Sequence, residues 1–407
     1  MKILMVNKFF YIKGGSETYY FSLKKLLEKK GHQIIDFSMQ DEKNLESKYS
    51  DFFIDSVDYN SKQSIVSKIK AGIKIIYSFE AKQKLEKLIK ETKPDIAHLH
   101  IFQHQLSLSI LDVLKKYNIP IVYTAHDLKM ICPNYKMLTN NMVCQQCKDA
   151  KYINCMKNKC IKDSTIKSGI AMLEAYINKI RKSYEKIDYI ITPSEFYKSK
   201  FIEFGIKENR ISHISNFLGV EDIEYDKLEN QNYFLYFGRL SEEKGINTLI
   251  KAMKGINMPL KIVGTGPMEE QVNNYVKEKE LANIEVLGFK SGVELYTLVG
   301  NAKAVILPSE WYENGPYSAI ESLKLGRILI GSDLGGIPEL IDEGENGFIF
   351  TNRKESELNE KLRLIEEMKQ KEMEKMQEKS VAKFKKMYTE ENYYNKLISA
   401  YKMILKK

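Results

Sequence analysis

Short continuous apolar runs recur along this chain, separated by longer segments with helical periodicity. Residues 2–6, 33–38, 96–100, 120–124, 188–192 and 211–214 read as strands. Between them, residues 14–30, 62–90, 106–116 and 165–183 carry a helical pattern, and Pro193-Ser194-Glu195 begins a further helix. Ser16 is the expected N-cap of the first helix. Pro94-Asp95 breaks the second. Such alternation of strand and helix predicts an α/β fold with parallel sheets. The rhythm lapses from 219 to 231, which is acidic and reads as a linker. It resumes with strands at 233–237, 260–263, 284–287, 304–307 and 328–331. A long charged helix is expected over 355–379, and a last helix over 390–405. In the last helix, Tyr393, Leu397, Tyr401 and Ile404 share a packing face.

The stretch from 307 to 339, LPSEWYENGPYSAIESLKLGRILIGSDLGGIPE, carries the densest signal. Pro308-Ser309 closes a strand, and a loop with Glu313, Asn314 and Gly315 follows. Pro316 suits the first turn of a helix and Gly326 its end. After the Gly335-Gly336 turn, Pro338-Glu339 is expected to open another helix. Glu313 precedes the first of these helices, and Glu321 lies eight residues later, inside it. The helix N-terminus between them offers unpaired N–H groups and a positive dipole end, an anion site. Two acceptors flanking an anion site suit a ligand with hydroxyls on both sides of a phosphate, as in a nucleotide sugar. Taken singly, either glutamate is also read as a solvated surface residue.

Other residues have the right chemistry at strand ends. Gly238-Arg239 closes the strand at 233–237, and Lys244 follows five residues on. A guanidinium fork and a compact ammonium suit a diphosphate, although such a pair on a loop is ordinarily solvated. Gly264, Gly266 and the Gly14-Gly15 pair allow backbone to approach a ligand, or mark plain strand-to-helix turns. His126 and Asp127 end the strand at 120–124, and His100 ends that at 96–100. Open α/β sheets bind ligands at these ends. The alternative for His126 is a structural histidine that caps a backbone carbonyl.

Composition narrows the classes. A 407-residue chain that is 43% hydrophobic supports two or three domains with real cores. No apolar run approaches the length of a membrane-spanning helix. The N-terminus lacks the length and cleavage site of a signal peptide and reads as a first strand, so a cytoplasmic location is expected. The net charge of +9 is spread along the chain, with no basic block interleaved with aromatics. Nucleic acid is therefore not an expected partner. Weak attraction to an anionic membrane face is, and biased Lys, Ile and Asn usage explains the same charge. All five cysteines, Cys132, Cys144, Cys147, Cys155 and Cys160, fall in one polar stretch. Four of them would suffice for a structural zinc site with Cys144 and Cys147 as one knuckle. Reduced thiols or a labile disulfide are the alternatives. His98, His100 and His104 form a second group, of which the first two share a strand face.

The Glu313-x7-Glu321 spacing, Gly326 and Gly335-Gly336-x-Pro338-Glu339 resemble the nucleotide-sugar motif of the retaining GT-B glycosyltransferases of family four. Gly238-Arg239-Leu240-x3-Lys244-Gly245 resembles that family's phosphate motif. Pro316-Tyr317 after Gly315 departs slightly from its pattern, which more often has an aromatic residue there. The cysteine stretch resembles an insertion found in a subset of the family. The resemblance implies two Rossmann-like domains facing across a cleft. They would comprise an acceptor-side domain over 1–217, with the insertion at about 131–165, a linker over 218–231, and a nucleotide-sugar domain over 232–385. A terminal helix, 386–407, would return to the first domain. It further implies transfer of a sugar from a UDP- or GDP-linked donor to a hydroxyl of a glycan or lipid-linked acceptor. Retention at the anomeric carbon is implied, with no metal in the chemistry. The context would be cell-surface polysaccharide assembly. By resemblance, His126, Glu313, Arg239 and Lys244 are catalytic, with Glu313 on the donor sugar and Arg239 and Lys244 on its phosphates. Glu321 holds the ribose, Gly15, Gly238, Gly264, Gly266, Asn314 and Gly315 line the donor, and His100 and Asp127 lie on the acceptor side. The competing readings are a GT-B phosphorylase or epimerase, and a non-catalytic sugar-binding or scaffold protein.

Overall fold

Two six-stranded parallel sheets frame the protein, and the computed structural model describes residues 1–56, 77–219 and 232–406. The first sheet contains β1 (Lys2–Val6), β2 (Gln33–Phe37), β3 (Ile96–Leu99) and β4 (Ile121–Thr124). A two-stranded hairpin, β5 (Leu138–Thr139) and β6 (Met142–Val143), interrupts the series before β7 (Tyr189–Thr192) and β8 (Ile211–His213). The sheet order is β2-β1-β3-β4-β7-β8. Its connecting helices are α1 (Gly15–Lys29), α2 (Phe79–Thr92), α3 (Ser109–Lys116), α4 (Ile153–Lys157), α5 (Thr165–Ile180) and α6 (Glu195–Glu203). Helices on both faces explain why Ile3, Leu4, Met5 and Val6 are all buried in succession.

The second sheet contains β9 (Phe234–Phe237), β10 (Leu260–Val263), β11 (Ile284–Gly288), β12 (Ala304–Leu307), β13 (Ile328–Ser332) and β14 (Gly347–Phe350). Its order, β11-β10-β9-β12-β13-β14, is the doubly wound dinucleotide-binding order. Strand residues alternate between two cores. Phe234 and Tyr236 enter one, and Leu235 and Phe237 enter the other. The surrounding helices are α7 (Ile246–Ala252), α8 (Glu269–Glu278), α9 (Gly292–Asn301), α10 (Tyr317–Lys324), α11 (Glu355–Glu366) and α12 (Gln370–Met387).

The chain then returns. In α13 (Glu390–Leu405), Tyr393, Leu397, Tyr401 and Ile404 join the core of the first sheet, as their spacing predicts. The Tyr393 hydroxyl meets that of Tyr19. His98 bonds Tyr401 Oη through Nδ1 at 2.6 Å and Thr124 Oγ1 through Nε2 at 2.7 Å. At the crossing, Leu218 N–H donates to Tyr388 O at 2.9 Å, and Leu218 pairs with Thr389 in parallel. The outgoing and returning strands thus run side by side between the domains.

Several local expectations change. The charged helix expected over 355–379 is two helices, α11 and α12, which bury different residues: Leu358, Leu362 and Ile365 in the first, and Met373, Met376 and Phe384 in the second. Pro338-Glu339 opens a single 3₁₀ turn, Pro338–Leu340, and the strand β14 follows unpredicted. Gly14, not Ser16, stands at the N-cap of α1, and no side chain caps that end. Of the helix expected over 62–90, α2 forms the described part, capped by Ser78; residues 57–76 lie outside the described residues. So does most of the 218–231 linker, from 220 to 231.

Candidate functional site

Both sheets reverse their strand order beside the first strand, and ligands of such folds bind at the carboxyl ends there. In the second sheet this switch lies between β9 and β12. Gly238 and Arg239 leave β9, and the loop carrying Ser309, Trp311 and Glu313 leaves β12. Glu313 is 6% exposed. Its Oε1 accepts from Lys244 Nζ at 2.6 Å, Ser309 Oγ at 2.6 Å and Trp311 Nε1 at 2.8 Å. Burial works to raise the Glu313 pKa. The Lys244 charge and these hydrogen bonds outweigh burial and hold the carboxyl below its usual range. The Lys244 ammonium also lies over the Trp311 ring, 5.5 Å from its centroid. Glu321, on α10, has the opposite balance: burial, only partly offset by Lys324, pushes its carboxyl up to about 7.

The motif glycines act mainly on backbone. Gly335 has φ +65, and a Cβ there would lie 2.4 Å from Glu313 N. The next residue, Gly336, donates its N–H to Glu313 O at 2.7 Å. The diglycine turn is therefore the floor of the Glu313 loop. Gly264, with φ +136, lies so close under the β9 loop that a Cβ would sit 1.8 Å from Gly238 O. At Gly266 the same addition would come within 2.2 Å of Leu240 O. Gly264 and Gly266 brace the loop of Gly238 and Arg239. Arg239 itself is exposed on that loop.

The facing wall comes from the first domain. His126 is half-buried, with Nε2 3.1 Å from His100 Nδ1 and the two rings stacked. Tyr19 meets the His126 ring edge-on at 4.8 Å. Burial pushes His126 and His98 down to about 3 and His100 well below its ordinary value, so the three are neutral at physiological pH. His100 was expected to line the cleft; it is fully buried and backs His126. His104 turns away, 3.7 Å from Glu174 Oε2. Asp127 Oδ1 accepts from Lys129 N at 2.9 Å, which ties one oxygen of that carboxylate into its own loop. Sequence reasoning missed Ser309 and Trp311, although the chain's one tryptophan two residues before Glu313 was a usable signal. Burial lowers the pKa of Lys8, just after β1, and raises that of Glu17, in the first turn of α1.

Asn314 and Gly315 join the domains. Asn314 Nδ2 donates to Ala125 O at 2.7 Å, and its Oδ1 accepts from Ser194 Oγ at 3.1 Å. Asn216 Nδ2 donates to Gly315 O at 2.9 Å. Glu339 reaches across to accept from the N–H groups of Glu195 and Phe196, at the start of α6, at 2.9 and 2.7 Å. Gly15 lies opposite the Tyr317 ring, which a Cβ at Gly15 would meet at 3.7 Å.

All five cysteines line one cavity of about 10 Å³, and none forms a disulfide. A hydrogen bond from Cys155 pulls the Cys160 thiol down to about 6, and the same bond with burial pushes Cys155 up. The Cys160 sulfur also lies 3.7 Å from Thr139 Oγ1. Among the described residues, no three or more His, Cys, Asp or Glu side chains are set to hold an ion. The five thiols that the zinc expectation names are thus gathered at one place, with Cys155 hydrogen-bonded to Cys160 and Cys160 beside Thr139.

Comparison with known proteins agrees with this geometry. The family model of Glycosyltransferase Family 4 matches residues 13–221, and that of Glycosyl transferases group 1 matches residues 221–383. An uncharacterised 42.6 kDa protein in the cps region of Klebsiella pneumoniae is 24% identical over 84% of this chain and 87% of its own length. A glycosyltransferase structure from Rickettsia africae superposes with a TM-score of 0.70 at 21% identity, over 100% of this chain and 99% of that one. Anabaena HepE, solved with UDP and glucose, gives 0.64 at 16% identity, over 99% of each chain. These structures share the fold of two facing α/β domains. Since one family model covers the first domain and its companion the second, the chain belongs to glycosyltransferase family 4, with the GT-B fold and glycosyltransferase activity.

Proposed function

We propose that this enzyme moves a sugar from a nucleoside diphosphate sugar to an acceptor hydroxyl, with retention, in cell-surface polysaccharide assembly. The observation that carries the reading is the Glu313 carboxylate, held ionised by Lys244, Ser309 and Trp311 at the switch point. Glu313 would hold donor sugar hydroxyls and Glu321 the ribose. Arg239, Lys244 and the N-terminus of α10 would meet the diphosphate. As the bond from the anomeric carbon to the phosphate oxygen breaks, negative charge grows on the diphosphate, and these groups stabilise it. The acceptor oxygen bonds to the same face of the sugar, and its proton passes to the departing phosphate oxygen. Neutral His126 would orient the sugar by hydrogen bonding rather than by charge. The engagement of Asp127 with its own loop speaks against a double displacement through that carboxylate. The UDP and glucose bound to Anabaena HepE favour a UDP-linked donor. The cps-region relative favours a polysaccharide context.

Binding and slow hydrolysis of UDP- and GDP-linked sugars by the purified protein, without added metal, test the reading. One donor is expected to bind selectively and release its sugar. Glu313→Ala is expected to lose about 10²–10³-fold in turnover while keeping most nucleotide affinity. Turnover at the wild-type rate in that variant would remove Glu313 from the mechanism.

A further inference from the structure

The helix α5 is amphipathic in the unusual sense. Its buried residues are Ser168, Ala171, Glu174 and Asn178, small or polar. Its apolar residues Ile166, Ile170, Leu173, Ile177 and Ile180 follow at alternating steps of four and three, which places them on one narrow stripe. That stripe faces outward: Ile166 is 78% exposed, Leu173 52% and Ile180 79%, with Ile170 and Ile177 half-buried between them. The polar inner face is anchored by the buried ion pair of Glu174 with Lys129, at 2.8 Å.

The charge around the stripe is predominantly positive. From 157 to 182 the basic residues include Lys157, Lys159, Lys167, Lys179 and Lys182, all exposed. The acidic residues of that span are Asp163 and the buried Glu174. Arg181 is partly engaged by Asp112 at 2.9 Å. We infer that α5 is a membrane-docking helix, which lies in the plane of an anionic lipid surface with its isoleucine stripe in the acyl boundary and its lysines among the headgroups. A second copy of the chain suits this face less well. Helices that pair through such a stripe carry opposite charges on its flanks, whereas here like charges would meet. No helix of the described residues is long and apolar enough to cross a membrane, so surface docking is the mode this helix permits. The Lys129–Glu174 pair would then connect the docked helix to the loop that holds His126 and Asp127.

Sedimentation of the full chain with lipid vesicles tests the inference. Binding is expected to phosphatidylglycerol–phosphatidylcholine vesicles, not to pure phosphatidylcholine, and to weaken with salt. Replacing Ile166, Leu173 and Ile180 together by serine is expected to weaken binding about tenfold or more, with the melting temperature unchanged. Replacing Lys167, Lys179 and Lys182 by alanine is expected to weaken it comparably. Wild-type protein left in the supernatant, or serine variants that bind as wild type does, would overturn the inference. So would a wild-type dimer that the serine variants dissolve, since a second copy would then cover the stripe. Should those variants misfold, amide exchange on wild-type protein decides instead: vesicles are expected to slow exchange over 165–180, and unchanged exchange would count against docking. Vesicle binding is read without donor or acceptor, so its failure leaves the transfer reading intact.

Discussion

Two glutamates eight residues apart meet opposite surroundings, and this sets what each can do. Glu313 is ionised and held by three donors before any ligand arrives. Glu321 is half-buried with no such set of donors, and burial pushes its carboxyl up to about 7. A ribose hydroxyl donates best to an ionised carboxylate, which Glu321 becomes only as pH rises through that value. Affinity for UDP is therefore expected to strengthen between about pH 6 and 8, and Glu321→Gln to flatten that dependence, both by titration calorimetry. The spacing of these glutamates, and of Arg239 and Lys244, was legible because it is fixed along one loop or helix. The interdomain contacts of Asn314 and Gly315 were not, because their partners Ala125, Ser194 and Asn216 come from the other domain. Periodicity says nothing about a partner so far away in sequence.

At the scale of elements, strands and amphipathic helices were readable wherever apolar spacing repeats. The boundary between α11 and α12 was not, since no glycine or proline marks it and charges fill both helices. The returning helix α13 completes the core of the first domain. Its Tyr401 hydroxyl bonds His98 Nδ1 deep in the core. Tyr401→Phe removes that partner and leaves a buried ring nitrogen unsatisfied, a change expected to cost about 1–3 kcal/mol in urea unfolding. The same core predicts acid sensitivity. His98 and His126 have folded pKa values near 3, against about 6.5 when unfolded. Below pH 6.5 the unfolded chain takes up protons that the folded one refuses. Stability is thus complete above that pH and falls as pH drops towards 3, by up to about 1.4 kcal/mol per unit for each histidine. Urea midpoints measured from pH 7 to 5 check the slope.

On the scale of the whole molecule, polar contacts at the site itself add to the apolar packing of Tyr312 and α13 in joining the domains. Glu339 accepts from the first N–H groups of α6, across the domain boundary. Glu339→Ala is expected to leave these groups to water and to favour an open arrangement. Small-angle scattering would show a larger radius of gyration, and KM for the donor would rise more than kcat falls. The paired crossing of Leu218 and Thr389 carries a further consequence. Tyr19 and Tyr393 stand 374 residues apart along the chain, yet their hydroxyls touch in one core. During translation, the first sheet emerges with the seats for Tyr393 and Tyr401 still vacant. The domain begun first is finished last, after the second domain has been made. Until then its apolar groove is open to chaperones and to other nascent chains, and premature termination anywhere in the second domain would strand it in that state.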